Sequence, residues 1–91
     1  MINIRVVKCK QCSSVITSRA NHDFNTCKCG QLSVDGGYFN KDTNTQCITR
    51  IIGSFQQEHL SIIPDIPVTP EQLYNDWNKG INEFKYLEKY A

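Results

Sequence analysis

The sequence predicts a small α+β protein, an antiparallel sheet of short strands followed by one C-terminal helix, and three observations carry that prediction. Alternating and β-branched apolar runs recur through the first 60 residues, interrupted by turn-forming residues. Three prolines crowd the stretch from Pro64 to Pro70, and beyond them apolar residues recur at helical spacing. Four of the five cysteines fall as Cys9-x-x-Cys12 and Cys27-x-Cys29-Gly30, two tight pairs separated by 14 residues. Thiolates at such spacing curl the backbone around a single ion, and four soft donors are the usual ligand set of a closed, structural Zn²⁺ site. The expected fold is therefore a zinc-ribbon-like antiparallel β-sheet over residues 1–60, a Pro-rich linker over 61–69 and an amphipathic helix over 70–91, docked on the ribbon or extending it.

Each element has its own signal. Ile2, Ile4 and Val6 alternate with Asn3 and Arg5, the pattern of a half-buried strand running into the first cysteine knuckle. Ser14-Val15-Ile16-Thr17 reads as its return strand, and the polar, aperiodic stretch from Ser18 to Asn25 as a loop. Gly30 can take the positive φ that a tight turn around a metal requires. Gln31 to Val34 reads as a short strand ending at a turn over Asp35-Gly36-Gly37, and Tyr38-Phe39 opens the next strand. Asn40 to Thr45 is a second turn, since Asn and Asp side chains bond their own backbone there. Cys47 to Phe55 is the longest strand candidate, with Cys47, Thr49, Ile51 and Phe55 in one phase, and Ile51-Ile52 implies cover on both faces. Gln56 to Ile63 matches neither pattern. Thr69-Pro70-Glu71-Gln72 is a capping box with Pro at the first helical position, and Leu73, Trp77, Ile81, Phe84 and Leu87 then form one stripe along a helix of about 20 residues.

Bulk properties bound the function. At 91 residues the core is thin and a metal or disulfide staple is expected. The odd cysteine count fits a secreted disulfide framework poorly, and the first residues do not read as a secretory signal. Nothing approaches the roughly 20 apolar residues that span a bilayer, so a cytoplasmic protein with no membrane partner is expected. Arg5, Lys8, Lys10, Arg19 and Lys28 face only Asp23 in the first 30 residues, whereas the tail is mildly acidic. A formal net charge of +1 is weaker than the basic stripe of most nucleic-acid binders.

Cys9, Cys12, Cys27 and Cys29 are thus the metal ligands, with Zn²⁺ the expected cofactor. Redox dithiol chemistry and an iron site are the alternatives; the first is opposed by the lack of a flanking helix and by the second cysteine pair. Cys47, on a strand among apolar neighbours, reads as a small buried hydrophobe rather than a fifth ligand. His22 is read as ordering its loop and Phe24 as tucking under the metal site, the sharper alternative being His22 as a ligand or as a functional partner of Asp23. No catalytic triad or phosphate-cradling glycine loop is present, and no enzymatic activity is expected. On the helix, Tyr74, Trp77, Ile81 and Phe84 are the candidate partner-binding residues, although docking of the same stripe as core is the favoured reading.

The run Lys8-Cys9-x-x-Cys12, His22-Asp23-Phe24, Cys27-x-Cys29-Gly30 and Val34-Asp35-Gly36-Gly37 resembles a group of small uncharacterised zinc-ribbon proteins of tailed bacteriophages and bacteria. The likeness covers roughly residues 8–40 and departs at Ser13, where the group commonly has Gly. It implies a phage-like origin and action in the host-cell cytoplasm, and it transfers no functional residue beyond the four thiolates. The function expected is a non-enzymatic accessory protein that binds and modulates a host protein of the transcription, translation or defence machinery. The alternative is a nucleic-acid-binding module using the basic N-terminal half.

Overall fold

The computed structural model describes residues 1–53 and 58–91. Its elements are β1 (Ile2–Cys9), β2 (Val15–Ile16), β3 (Asn25–Thr26), β4 (Leu32–Asn40), β5 (Thr45–Gly53), β6 (Glu58–Ile66), α1 (Pro70–Asn78) and a terminal 3₁₀ turn, Glu88–Tyr90. Of the sequence expectations, the place of Phe55 in the strand phase lies outside the described residues, as does the start of the ambiguous stretch at Gln56.

β1 is the hub of the sheet. One side pairs antiparallel with β6 from Ile2↔Ile66 to Cys9↔Glu58. The other side is shared: β5 runs parallel to it at Asn3↔Thr45 and Ile4↔Gln46, then β2 takes over antiparallel at Val7↔Ile16 and Lys8↔Val15. β4 pairs along β5, and β3 closes the order β2-β1-β5-β4-β3. Because β5 leaves β1 after two residue pairs, the β4–β5 ribbon curls over the face of β1, and the whole is a nearly closed, barrel-like sheet with one short helix.

This overturns the expected ribbon-plus-helix fold in three places. First, the sheet is not purely antiparallel, because β1 and β5 meet in parallel. Second, the stretch read as a linker is largely strand and core: β6 runs to Ile66, and Ile63, Ile66 and Val68 are buried. Pro64 is tolerated because among the described residues β6 pairs on one side only and because the register shifts between Ile2 and Ile4, with Asp65 at φ 56° in the irregularity. Third, the helix ends at Asn78. The capping box forms as expected, Thr69 Oγ1 accepting from Gln72 N and Gln72 Oε1 from Thr69 N, but Gly80 and Asn82 adopt φ of 66° and 59° and turn the chain back. Leu87 therefore reaches the core from a returning tail, with its N–H bonded to Val15 O at 2.8 Å, and not from a fifth helical turn.

The expected turn at Asp35-Gly36-Gly37 is also absent, since β4 passes straight through it. The glycines serve close approach instead. A Cβ at Gly37 would lie 2.2 Å from the Ser18 carbonyl oxygen, and one at Gly36, whose φ is 70°, would lie 1.8 Å from Thr49 Oγ1. Loop 17–23 is consequently laid against β4, with Gly37 N–H bonded to Ala20 O and Ser18 Oγ. The alternation of Ile2, Ile4 and Val6, the return strand at Val15-Ile16 and the turn before Thr45 stand as read.

Two apolar clusters lie on opposite faces of β1. Ile2, Ile4 and Val6 pack with Ile63, Ile66, Val68, Leu73 and Leu87. Val7 and Cys9, of the opposite phase, pack with Ile16, Cys27, Leu32 and Val34. Both adjacent residues Val6 and Val7 are buried because β1 is covered on both sides. The second cluster runs directly into the thiols.

Candidate metal centre

Cys9 is the last residue of β1, and the chain doubles back there through Ser13 N–H to Cys9 O and Cys9 N–H to Ser14 O, both 2.9 Å. Ser13 holds φ 63° in this turn, the left-handed conformation in which glycine is unstrained. The second knuckle is built alike, from Gly30 N–H to Cys27 O at 3.0 Å and Cys27 N–H to Leu32 O at 2.8 Å, with Gly30 at φ 81°. Ser14 ties the two together: its Oγ accepts from Lys28 N–H at 3.0 Å and lies 3.0 Å from Cys12 Sγ.

The four Sγ atoms of Cys9, Cys12, Cys27 and Cys29 all lie within 4.8 Å of one another. Cys9–Cys29 and Cys27–Cys29 are 3.7 and 3.5 Å apart, far beyond a disulfide bond of about 2.05 Å. A tetrahedron with metal–sulfur bonds of about 2.3 Å has edges of about 3.8 Å. The set therefore fits a closed four-thiolate metal site, with Cys9 and Cys27 buried, Cys12 half-buried and Cys29 facing outward. The closest approaches fall across the knuckles and within the second one, which suits a shared ion better than a separate redox dithiol.

Electrostatics favour a cation here. The hydrogen bond to the Ser14 hydroxyl is the main influence holding the Cys12 thiol down to about 5. Burial opposes ionisation of Cys27, but hydrogen bonding from Cys29 and from Leu32 N–H, 3.3 Å from its Sγ, leaves it lowered. For Cys29 the Gln31 N–H favours the thiolate, yet burial and the crowded sulfurs of Cys27, Cys12 and Cys9 outweigh it and push it up to about 12. Four thiolates at this spacing need a balancing charge, which a divalent ion held among them would supply.

The other candidates separate. His22 is exposed, and among the described residues its ring makes no hydrogen bond; Phe24 is 56% exposed and does not underlie the site. Cys47 is half-buried rather than in the core, its Sγ–H directed to Thr45 O at 3.5 Å. In the sequence Asp23 reads as a neighbour of His22 and Arg19 as part of a basic surface. Both are buried, and Arg19 bridges Asp23 to Asp76, donating from Nε to Asp23 Oδ2 and from Nη1 to Asp76 Oδ2, each at 2.8 Å. Asp76 also accepts from Glu83 N–H at 2.7 Å and Phe84 N–H at 2.9 Å, which fixes the reversal after α1. Desolvation works against the Arg19 charge, but its bonds to both carboxylates prevail and its affinity for the proton is raised.

The returning tail clasps both knuckles. Ile16 bridges to Tyr86, Tyr86 Oη donates to Thr26 O at 3.1 Å, Asn25 Nδ2 to Lys85 O at 2.8 Å, and Lys28 pairs with Glu88 at 2.9 Å. The stripe proposed for partner binding divides: Phe84 packs on the first cluster and stacks with Tyr90, whereas Tyr74 and Ile81 are 49% and 59% exposed and half-buried Trp77 meets Tyr74 edge-on.

A sequence family described as a domain of unknown function (DUF7695) matches residues 2–41, which is less than half of the chain and spans β1 to β4 with all four clustered cysteines. No curated protein and no solved structure matches the chain. Among the described residues, no helix is long and apolar enough to cross a membrane.

Proposed function

We propose that this is a non-enzymatic accessory protein in which Zn²⁺, held by Cys9, Cys12, Cys27 and Cys29, fastens the fold while the surface binds another protein. The observation that carries this reading is the division of labour between thiols and surface. Four thiolates fill a tetrahedral zinc shell with no position for substrate, and Tyr74, Trp77 and Ile81 are left partly or largely outside the core. The knuckle motif adds the narrower part of the proposal: a phage-type protein acting on a host protein in the bacterial cytoplasm, a compartment that suits five free thiols. The nucleic-acid alternative retains exposed Arg5, Lys8 and Lys10, but Arg19 is buried and Lys28 is engaged by Glu88.

The test is an affinity capture from bacterial lysate with metal-loaded protein and with a Tyr74→Ala/Ile81→Ala variant that keeps its zinc. A specific protein captured by the first and lost by the second is the expected result. Capture of none, together with micromolar and steeply salt-dependent binding of DNA or RNA in a fluorescence titration, would replace this reading with the alternative.

A further inference from the structure

A second surface names a partner chemistry; it rests on the protein-binding reading. β6 pairs with β1 along one side, and among the described residues no strand pairs with its other side. Pro64 has no N–H and Asp65 sits at φ 56°, so the edge open to pairing is His59–Ile63. The register sets Ile62 opposite Arg5 and Leu60 opposite Val7, which puts Leu60, Ile62 and Arg5 on one face. Leu60 and Ile62 are 48% and 51% exposed. Two hollows of about 360 Å³ each share Arg5 and Ile62, one along Leu60 and the other reaching Tyr38, Cys47 and Ile48 on the β4–β5 ribbon. Among the described residues Arg5 is the one charged residue lining either hollow, and it forms no ion pair with them.

We propose that the His59–Ile63 edge takes up an extended, mainly apolar peptide segment of a partner protein, with an acidic side chain of that segment paired to Arg5. A strand added to β6 lies two strand spacings from β1, about 9.6 Å, a gap that an arginine and a glutamate side chain span together over Ile62. Pairing of two copies through the same edge would join apolar side chains but leave each Arg5 without an anion. Charge complementarity therefore selects the acidic peptide.

The test is fluorescence anisotropy on the full, metal-loaded chain with labelled, end-blocked five-residue peptides of alternating valine and threonine carrying Glu, Gln or Lys at the centre. The Glu peptide is expected to saturate, the Gln peptide to bind about tenfold more weakly and the Lys peptide not at all, the tenfold step being that of one charge-assisted hydrogen bond. Arg5→Gln should abolish the Glu-over-Gln preference, and N-methylation of alternate peptide amides should abolish binding. Absence of saturation up to millimolar peptide, equal binding of Glu and Gln peptides, or tolerance of N-methylation overturns the proposal. So does a dimer in sedimentation that Leu60→Lys converts to monomer. A lysate partner captured through Tyr74 and Ile81 with no peptide bound overturns this inference alone, whereas nucleic-acid binding without any protein capture overturns the reading beneath it as well.

Discussion

Arg19→Met should be among the most damaging substitutions outside the cysteines. The guanidinium is 4% exposed as a residue and donates to Asp23 at 2.8 and 3.3 Å, to Asp76 at 2.8 Å and to Asn82 Oδ1 at 3.0 Å. Methionine keeps the stem and its packing but leaves two carboxylates, each 3% exposed, with no cation between them. Removing one member of a buried ion cluster costs about 3–5 kcal/mol, a large part of the 5–15 kcal/mol that holds a domain of this kind together. At about 4 °C or more per kcal/mol for a chain this short, the melting temperature should fall by at least about 12 °C. Thermal denaturation followed by circular dichroism, on protein with verified zinc content, measures it, with Arg50→Met as the exposed comparison at about 0.5 kcal/mol or less. A loss below about 1 kcal/mol, or one equal to that of Arg50→Met, would refute the assignment of this cluster as the clamp on the post-helix reversal.

Four further outcomes follow from the same structure. Cys27→Ser should lose zinc and unfold the knuckle end of the chain, the β2–β3 region and the tail laid on it, since structural zinc supplies about 10–16 kcal/mol in small zinc modules; a folded variant with full metal content, by heteronuclear NMR and metal analysis, would count against the site. Zinc affinity should rise with pH, because protons must leave the thiols, but with fewer than four released at pH 7 since Cys12 at about 5 is already a thiolate; competition with a chromophoric chelator between pH 6 and 8 reads this, and a flat profile contradicts it. Gly37→Ala should destabilise by more than Gly30→Ala in urea titrations, because its Cβ would meet the Ser18 carbonyl at 2.2 Å whereas that of Gly30 meets nothing within 4 Å. Leu87→Ala should cost about 2–5 kcal/mol and open the tail to trypsin at Lys85 and Lys89, an effect a merely peripheral tail would not show.

Local signals were legible in the chain and long-range ones were not. The knuckles, the β1 alternation, the capping box and the Asn40–Thr45 turn depend on residues a few positions apart, and each formed as read. The sequence predicts too long a helix because Leu73, Trp77, Ile81, Phe84 and Leu87 repeat at helical intervals, yet Leu73 and Leu87 reach the same cluster from a helix and from a returning tail. What breaks the helix is Gly80 together with Asp76, and Asp76 acts through Arg19, 57 residues earlier. No periodicity reports a pairing of that separation. Gly36-Gly37 misleads in the same way: the pair has the composition of a turn, whereas the constraint is the backbone of loop 17–23 lying across β4. Pro64 and Pro67 argued for a linker only because the edge position of β6 was unknown.

The arrangement also says what a metal held by the four thiols would do for so small a chain. β1 carries a cluster on each face, and the first is closed by apolar side chains from β6, α1 and the tail. The second contains Val7, Ile16, Leu32 and Val34 and then ends on Cys9 and Cys27, and among the described residues no helix packs over it. Four thiolates without a cation would make that end of the cluster repulsive, as the opposed shifts of Cys12 and Cys29 indicate. A bound ion turns the same four groups into the cross-link that completes the cluster, and the tail, through Tyr86, Leu87 and Glu88, is laid on the two knuckles so joined. Metal loss should therefore first loosen the tail and the β2–β3 region, and leave the β1–β6 pairing and its apolar cluster for last. Hydrogen exchange on chelator-treated protein tests that order: amides of Val15 to Lys28 and of Tyr86 to Tyr90 should lose protection together, ahead of Ile4, Val6 and Ile63. Simultaneous loss everywhere would mean that the ion holds the whole barrel and not one end of it.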